Sequence, residues 1–182
     1  MKRPLLIAEV KTKSPFGYES AKTWEEQFKF ANTHGDILSI HTDVRWGGSF
    51  ELLSKARTLT DKPILAKGIH ADDTQIERAV ACGAEYVLVV GRIPKVHLDK
   101  CLIEVNSLAE LEKIPAGVKA VWNNRDLNTG GVKKETCKQA RKLWNGWLCQ
   151  ASNISKKIHI EKGIDAILVG THLFDFVQDD GG

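Results

Sequence analysis

The sequence predicts an α/β protein, a compact (β/α)8 (TIM) barrel, and two observations carry that reading. The first is a set of eight short, continuously apolar, β-branched runs at residues 5–10, 36–41, 63–66, 86–90, 101–105, 120–122, 147–149 and 166–169. Continuous rather than alternating apolarity marks strands buried on both faces, as in a parallel sheet covered by helices. The second is that amphipathic stretches at helical spacing lie between most of the runs, at 24–32, 50–58, 73–82 and 133–143. Strand–helix alternation repeated this often favours closure into a barrel. The rival is a doubly wound open sheet, which usually carries a Gly-rich phosphate turn after its first strand. Here the first run is followed by Lys11-Thr12-Lys13-Ser14-Pro15, with no GxGxxG.

Local signals place the elements in order. Thr23 before Trp24-Glu25-Glu26 reads as an N-cap with a glutamate at the third helical position, and Gly35, Gly83 and Gly163 stand where C-caps belong. Only ten residues, 91–100, separate the fourth and fifth runs. A parallel crossover normally takes a dozen or more, so this unit is expected to lack its helix. After Gly170 only residues 171–177 precede a polar Gly-Gly end, so the last helix is short. Trimmed helices let 182 residues, read as one domain over 1–182, make a fold that usually needs roughly 200 or more.

Composition bounds the function. With 42% apolar residues the chain can bury one substantial core. The net charge of +3 comes from mixed charges without a basic arm, which speaks against nucleic acid and mildly for an anionic small ligand. Cys82, Cys101, Cys137 and Cys149 share no CxxC spacing, so neither a zinc set nor a disulfide framework is expected, and a reducing cytoplasm fits. The basic start with its apolar run reaches Glu9 and Lys11 too soon for a signal peptide, and no stretch approaches the roughly 18 apolar residues of a membrane span. His34, His41, His70, His97, His159 and His172 show no HExxH or paired spacing and read as surface or loop histidines; no metal is expected.

In a barrel the chemistry lies at the C-terminal ends of the strands. Those ends carry Glu9 and Lys11, Lys67, Glu104 and Asn106, Asn123 and Arg125, and Ser152. Alternate residues of a strand share a face, so each pair can point into the mouth. Charges converging there are costly unless they pair with one another or with a ligand, and such clusters mark functional sites. The plain alternative for any one of them is a solvated loop charge.

At these residues the chain resembles the indole-3-glycerol phosphate synthase family. Leu6-Ile7-Ala8-Glu9-Val10-Lys11-Thr12-Lys13-Ser14-Pro15 resembles its first-strand signature, and His41-Thr42-Asp43 through Trp46-Gly47-Gly48-Ser49-Phe50 its second βα loop. Pro63-Ile64-Leu65-Ala66-Lys67, Leu102-Ile103-Glu104-Val105-Asn106, Asn123-Asn124-Arg125-Asp126-Leu127 and Ile167-Leu168-Val169-Gly170 follow in the family's order. The resemblance implies a carboxy-lyase of tryptophan biosynthesis. Such an enzyme converts 1-(2-carboxyphenylamino)-1-deoxyribulose 5-phosphate to indole-3-glycerol phosphate without metal or organic cofactor, as a cytoplasmic protein and here a monomer. It implies Lys67 as the general acid on the ketone oxygen and Glu104 as the acid/base of dehydration. Lys11 would hold the substrate carboxylate, oriented by Glu9 and Asn123. A lysine in a cationic, partly desolvated mouth is a sensible acid.

Phosphate would be held by Ser14 and by backbone N–H groups around Ser152-Asn153 and Gly170-Thr171, with Asn106 and Arg125 also facing the substrate. Trp46, Pro15, Ile69 and Leu127 would wall its aromatic ring. Ser14 reads equally well as an N-cap, Gly170 as a tight turn and Trp46 as a core anchor. Departures gather at the same mouth. Thr12 replaces a basic residue, Gly68-Ile69 an Asp-Phe pair, Ala151-Ser152-Asn153 a Glu-Ser-Gly motif and Phe16 a small residue, and the family's N-terminal helical extension is not in the sequence. They keep open a catalytically impaired or repurposed barrel that binds a phosphorylated small molecule. Another phosphosugar barrel, such as the isomerase one step earlier in the pathway, would want a cysteine at the end of the first strand, which is absent. A pure scaffold would be untouched by Lys67→Ala except in local stability.

Overall fold

The computed structural model describes residues 2–179 and 181. Its strands are β1 (Leu5–Val10), β2 (Ile37–His41), β3 (Ile64–Lys67), β4 (Tyr86–Val90), β5 (Cys101–Val105), β6 (Lys119–Asn123), β7 (Leu148–Ala151) and β8 (Ala166–Val169). All pairs are parallel, the strands run in chain order, and β8 closes on β1 through Leu6↔Ile167 and Ala8↔Val169. The eight-unit barrel read from the apolar runs is therefore the fold.

The closed sheet sorts its side chains by phase. Ile7, Ile37, Leu65, Leu88, Leu102, Val121, Cys149 and Leu168 point inward and fill the barrel. Their strand neighbours, among them Ala8, Leu38, Ile40, Ala66, Val89, Ile103 and Trp122, point outward and meet the helices through Phe28, Leu53, Ile76 and Ala140. Burial on both faces explains why the runs lack alternation.

The helices are α1 (Trp24–His34), α2 (Phe50–Leu59), α3 (Asp73–Ala81), α4 (Leu108–Leu111), α5 (Cys137–Leu143) and α6 (Leu173–Gln178). Thr23 caps α1 in a reciprocal capping box with Glu26, as its sequence predicts. The β4–β5 link holds only a 3-10 turn at Leu98–Lys100, and α6 is short, both as expected. The link from β7 to β8 is equally reduced, to a 3-10 turn at Lys157–His159.

Most boundaries shift by one or two residues from the sequence reading, with β3 reaching Lys67, β6 Asn123 and β7 Ala151; three differences have a local cause. Asp36 stays outside β2 because its carboxylate accepts the Leu6 N–H at 2.8 Å and pairs with Arg3. The fifth helix starts at Cys137 rather than 133, because Thr136 and Gln139 form its capping box while Lys133 N–H donates to the Asn124 carbonyl. Gly163 caps no helix; at φ +81° it makes the turn into β8.

Candidate active site

A cavity opens at the C-terminal end of the barrel. The phase that fills the barrel below continues into it, so that β1 delivers Glu9 above Ile7, β3 delivers Lys67 above Leu65, β5 Glu104 above Leu102 and β6 Asn123 above Val121. Lys11, one residue beyond β1, follows the same alternation and also lines the cavity.

Glu9 is the electrostatic centre. Its Oε1 accepts Lys67 Nζ at 2.9 Å and also bonds His41 Nε2, while its Oε2 lies where a Cβ on residue 170 would come within 1.8 Å. Only glycine at 170 leaves room for this carboxylate. Burial pushes the Glu9 pKa up, but Lys67, Lys11 and His41 outweigh it and hold the group well below the usual glutamate range. Lys11 is lowered by burial; Glu9 opposes that, and the nearby Lys67 and Arg125 charges add to it. Glu104 goes the other way from Glu9. Burial raises its pKa, Lys67 and the Asn123 side chain counter only in part, and its Oε1 has no hydrogen-bond partner. Two carboxylates pushed apart in this way suit different jobs, one as a fixed anion and one as a proton carrier.

Asn123 Oδ1 accepts the Arg125 backbone N–H at 2.9 Å. The Arg125 guanidinium lies 5.4 Å from the Phe16 ring centre, with its Nε buried and unpartnered. Trp46, Ile69 and Leu127 line the wall, and Phe16 joins them. The loops after β7 and β8 add Ser152, Asn153, Gly170 and Thr171 to the lining. Ser152 and Asn153 adopt left-handed conformations at φ +66° and +58°, and Asn124 Nδ2 donates to the Ser152 carbonyl at 2.9 Å. Ala151, where the family carries glutamate, closes β7 beside Asn123.

Three residues named from the sequence lie outside the cavity. Ser14 neither reaches it nor caps a helix; its hydroxyl accepts the Phe16 N–H at 3.2 Å within the loop after β1. Pro15 is exposed in that loop, and Phe16 stands in the wall instead. Asn106 is exposed, its N–H donating to Glu110 and its side chain resting against Gly91.

The histidine reading is corrected at one position: His41, 3% exposed, ends a strand rather than standing on the surface or in a loop. His70, equally buried, is a loop histidine with both ring nitrogens bonded, as the sequence suggests. His70 spans Thr42 Oγ1 and the Leu88 carbonyl beneath the loops, whereas His41 lines the cavity. The alternation Ile37, Ser39, His41 marks His41 as inward-facing and is the signal that could have found it. Among the described residues no group of three or more His, Cys, Asp or Glu is placed to hold a metal ion, and no helix is long and apolar enough to cross a membrane.

A barrel whose mouth gathers two lysines, an arginine and two carboxylates of opposite proton preference has the make-up of an acid–base site. The chain belongs to the indole-3-glycerol phosphate synthase family, whose model matches residues 1–180. It is 34% identical to the indole-3-glycerol phosphate synthase of Aquifex aeolicus, with 92% of this chain and 75% of the relative covered. The synthase of Staphylococcus aureus (strain USA300 / TCH1516) is 31% identical over 92% of this chain and 74% of its own length. For that of Crocosphaera subtropica the values are 32%, 98% and 70%. Among solved structures, KGPDC from Streptococcus mutans superimposes with a TM-score of 0.64 at 16% identity, covering 93% of this chain and 88% of that one, a likeness of fold.

Proposed function

We infer that the chain is an indole-3-glycerol phosphate synthase that closes an indole ring on 1-(2-carboxyphenylamino)-1-deoxyribulose 5-phosphate. The observation that carries this is the pairing of Lys67 with ionised Glu9 in the same mouth as Glu104, whose environment favours the protonated form.

The work divides among the residues as follows. The aromatic carbon bearing the carboxylate attacks the ketone carbon, and Lys67 gives a proton to the ketone oxygen as the new carbon–carbon bond forms. Carbon dioxide then leaves and the bonding pair restores the aromatic ring. The hydroxyl departs as water, with Glu104 carrying the protons that complete the double bond. Lys11 pairs with the substrate carboxylate until it is lost, and Asn123 orients the sugar hydroxyls. Arg125 and the backbone around Ser152-Asn153 and Gly170-Thr171 take the phosphate, where cations and N–H groups favour an anion. Trp46, Ile69, Leu127 and Phe16 wall the aromatic ring. The enzyme works as a single-domain cytoplasmic monomer without nucleic acid.

The test is steady-state turnover of this substrate, followed by indole fluorescence, for the wild type beside Lys67→Ala. Product that disappears with the lysine supports the reading. No turnover by the wild type, with the substrate still bound, overturns it in favour of a phosphate-binding barrel.

A further inference from the structure

His41 has no part in the steps above, yet it is built into the centre of the site. It and Lys67 are register partners on β2 and β3. Its Nε2 bonds the same Glu9 oxygen that receives Lys67 Nζ at 2.9 Å. The ring lies flat against Trp46, with centroids 5.7 Å apart and planes 3° apart, and Trp46 also carries the Arg45 guanidinium at 5.0 Å. The loop folds over the histidine because residue 48 is glycine; a Cβ there would come within 2.1 Å of the His41 carbonyl oxygen and 2.5 Å of its Cβ.

The proton placement follows from the surroundings. The charged groups around the ring are Glu9 from β1, Lys11 just beyond it, Lys67 from β3 and Asp43 from its own loop. Burial lowers the His41 pKa, Glu9 pulls it back up, and Lys67 and Lys11 add to the lowering, a balance on the side of the neutral ring. A neutral ring against an ionised carboxylate carries its hydrogen on Nε2 and donates it. Nδ1 is then a bare acceptor, and it is buried without a hydrogen-bond partner. An apolar side chain would avoid that loss at a position whose strand already sends Ile37 inward. What the histidine supplies that an apolar residue cannot is its bond to Glu9.

We propose that His41 is a positioning residue for the proton donor, its Nε2–H sharing Glu9 Oε1 with Lys67 so that the ammonium is held by one hydrogen bond and keeps its other N–H groups for the substrate. Among the described residues the bond to Glu9 is the only one Lys67 Nζ makes. An ammonium has three donors, so two remain. With the histidine gone, the carboxylate is free to turn wholly toward Lys67 and draw it out of line. The proposal rests on the reading of Lys67 as the acid.

Two measurements test it. In steady-state kinetics His41→Leu should lose about 10- to 100-fold in kcat with KM unchanged, the signature of a misplaced reacting group. His41→Gln, whose amide N–H stands near the position of Nε2, should recover most of that loss. Equal kcat in wild type and His41→Leu, a loss confined to KM, or equal losses in the Leu and Gln variants would overturn the proposal; if the Leu variant does not fold, Gln against wild type decides. In the second, nitrogen NMR of the His41 ring should show a neutral imidazole protonated at Nε2. A ring protonated at Nδ1, or charged at neutral pH, overturns the proposal. This holds whether or not the protein turns over the substrate, so that a wild type without turnover counts against the reading of Lys67 and not against the placement of the proton.

Discussion

Gly170→Ala should damage the site out of proportion to the single methyl it adds. The new Cβ would stand 1.8 Å from Glu9 Oε2 and 2.7 Å from its Cδ. To regain ordinary contact the carboxylate must retreat by roughly 1.5 Å. It has nowhere easy to go, because Glu9 is 3% exposed and its other oxygen is bonded by Lys67 and His41. The retreat therefore displaces Lys67, the proposed proton donor. A reacting group misplaced by about 1 Å can lose on the order of 100-fold in rate, which is about 2.7 kcal/mol of transition-state stabilisation. Loosening a buried charged pair also removes about 1–3 kcal/mol of stability. Indole fluorescence under single-turnover conditions measures the rate, and thermal melting by circular dichroism measures the stability. A Gly170→Ala variant with wild-type rate and melting temperature would refute the packing of Glu9 against this glycine, and with it the fixed Glu9–Lys67 geometry.

The remaining predictions concern charge, strain and the wall. Glu9, held well below its ordinary pKa, contributes stability that is present above the usual glutamate range and lost as pH falls through its folded value. Glu9→Gln should therefore melt lower than wild type at neutral pH, with the gap closing in acid. Glu104 has the opposite sign: its folded pKa is raised, so its penalty is absent below the usual glutamate range and grows as pH rises through the folded value. Glu104→Gln should melt higher than wild type at neutral pH, and the gain should vanish in acid; pH-resolved melting curves check both variants. Ser152 at φ +66° is strained for a side-chain-bearing residue, so Ser152→Gly should gain about 1 kcal/mol in denaturant unfolding. Phe16→Ala should raise KM more than it lowers kcat, since the ring lines the cavity without touching Lys67 or Glu104 in any hydrogen bond, and steady-state kinetics separates the two parameters.

The sequence made the barrel legible because strands buried on both faces announce themselves as apolar runs, and the site residues within strands followed from their period of two. Glu9, Lys67, Glu104 and Asn123 lie inside or at the last residue of a strand, where the alternation still holds. Beyond the strand it holds only if the backbone stays extended. Arg125 keeps the phase because its N–H is tied to Asn123 Oδ1 and its backbone bridges to Val132. Asn106 loses it because the chain turns into α4, where the Asn106 N–H is taken by Glu110. Ser14 and Pro15 sit in a loop whose path no short-range pattern fixes. α4, at four residues, gives too little periodicity to read. His41 was open to discovery by the same alternation that found Glu9, but a histidine at a strand end carries no spacing motif, and its role depends on Glu9 and Lys67, distant in sequence and adjacent only once β1, β2 and β3 pair.

The most direct test of the assignment separates the two halves of the reaction. Carbon dioxide release and indole formation would be followed in parallel during a single turnover by wild type, Lys67→Ala and Glu104→Gln. If Lys67 drives ring closure and Glu104 the dehydration, the lysine variant yields neither product, whereas the glutamate variant releases carbon dioxide without a matching rise in indole. Carbon dioxide released by Lys67→Ala at the wild-type rate, or indole keeping pace with it in Glu104→Gln, would contradict the account.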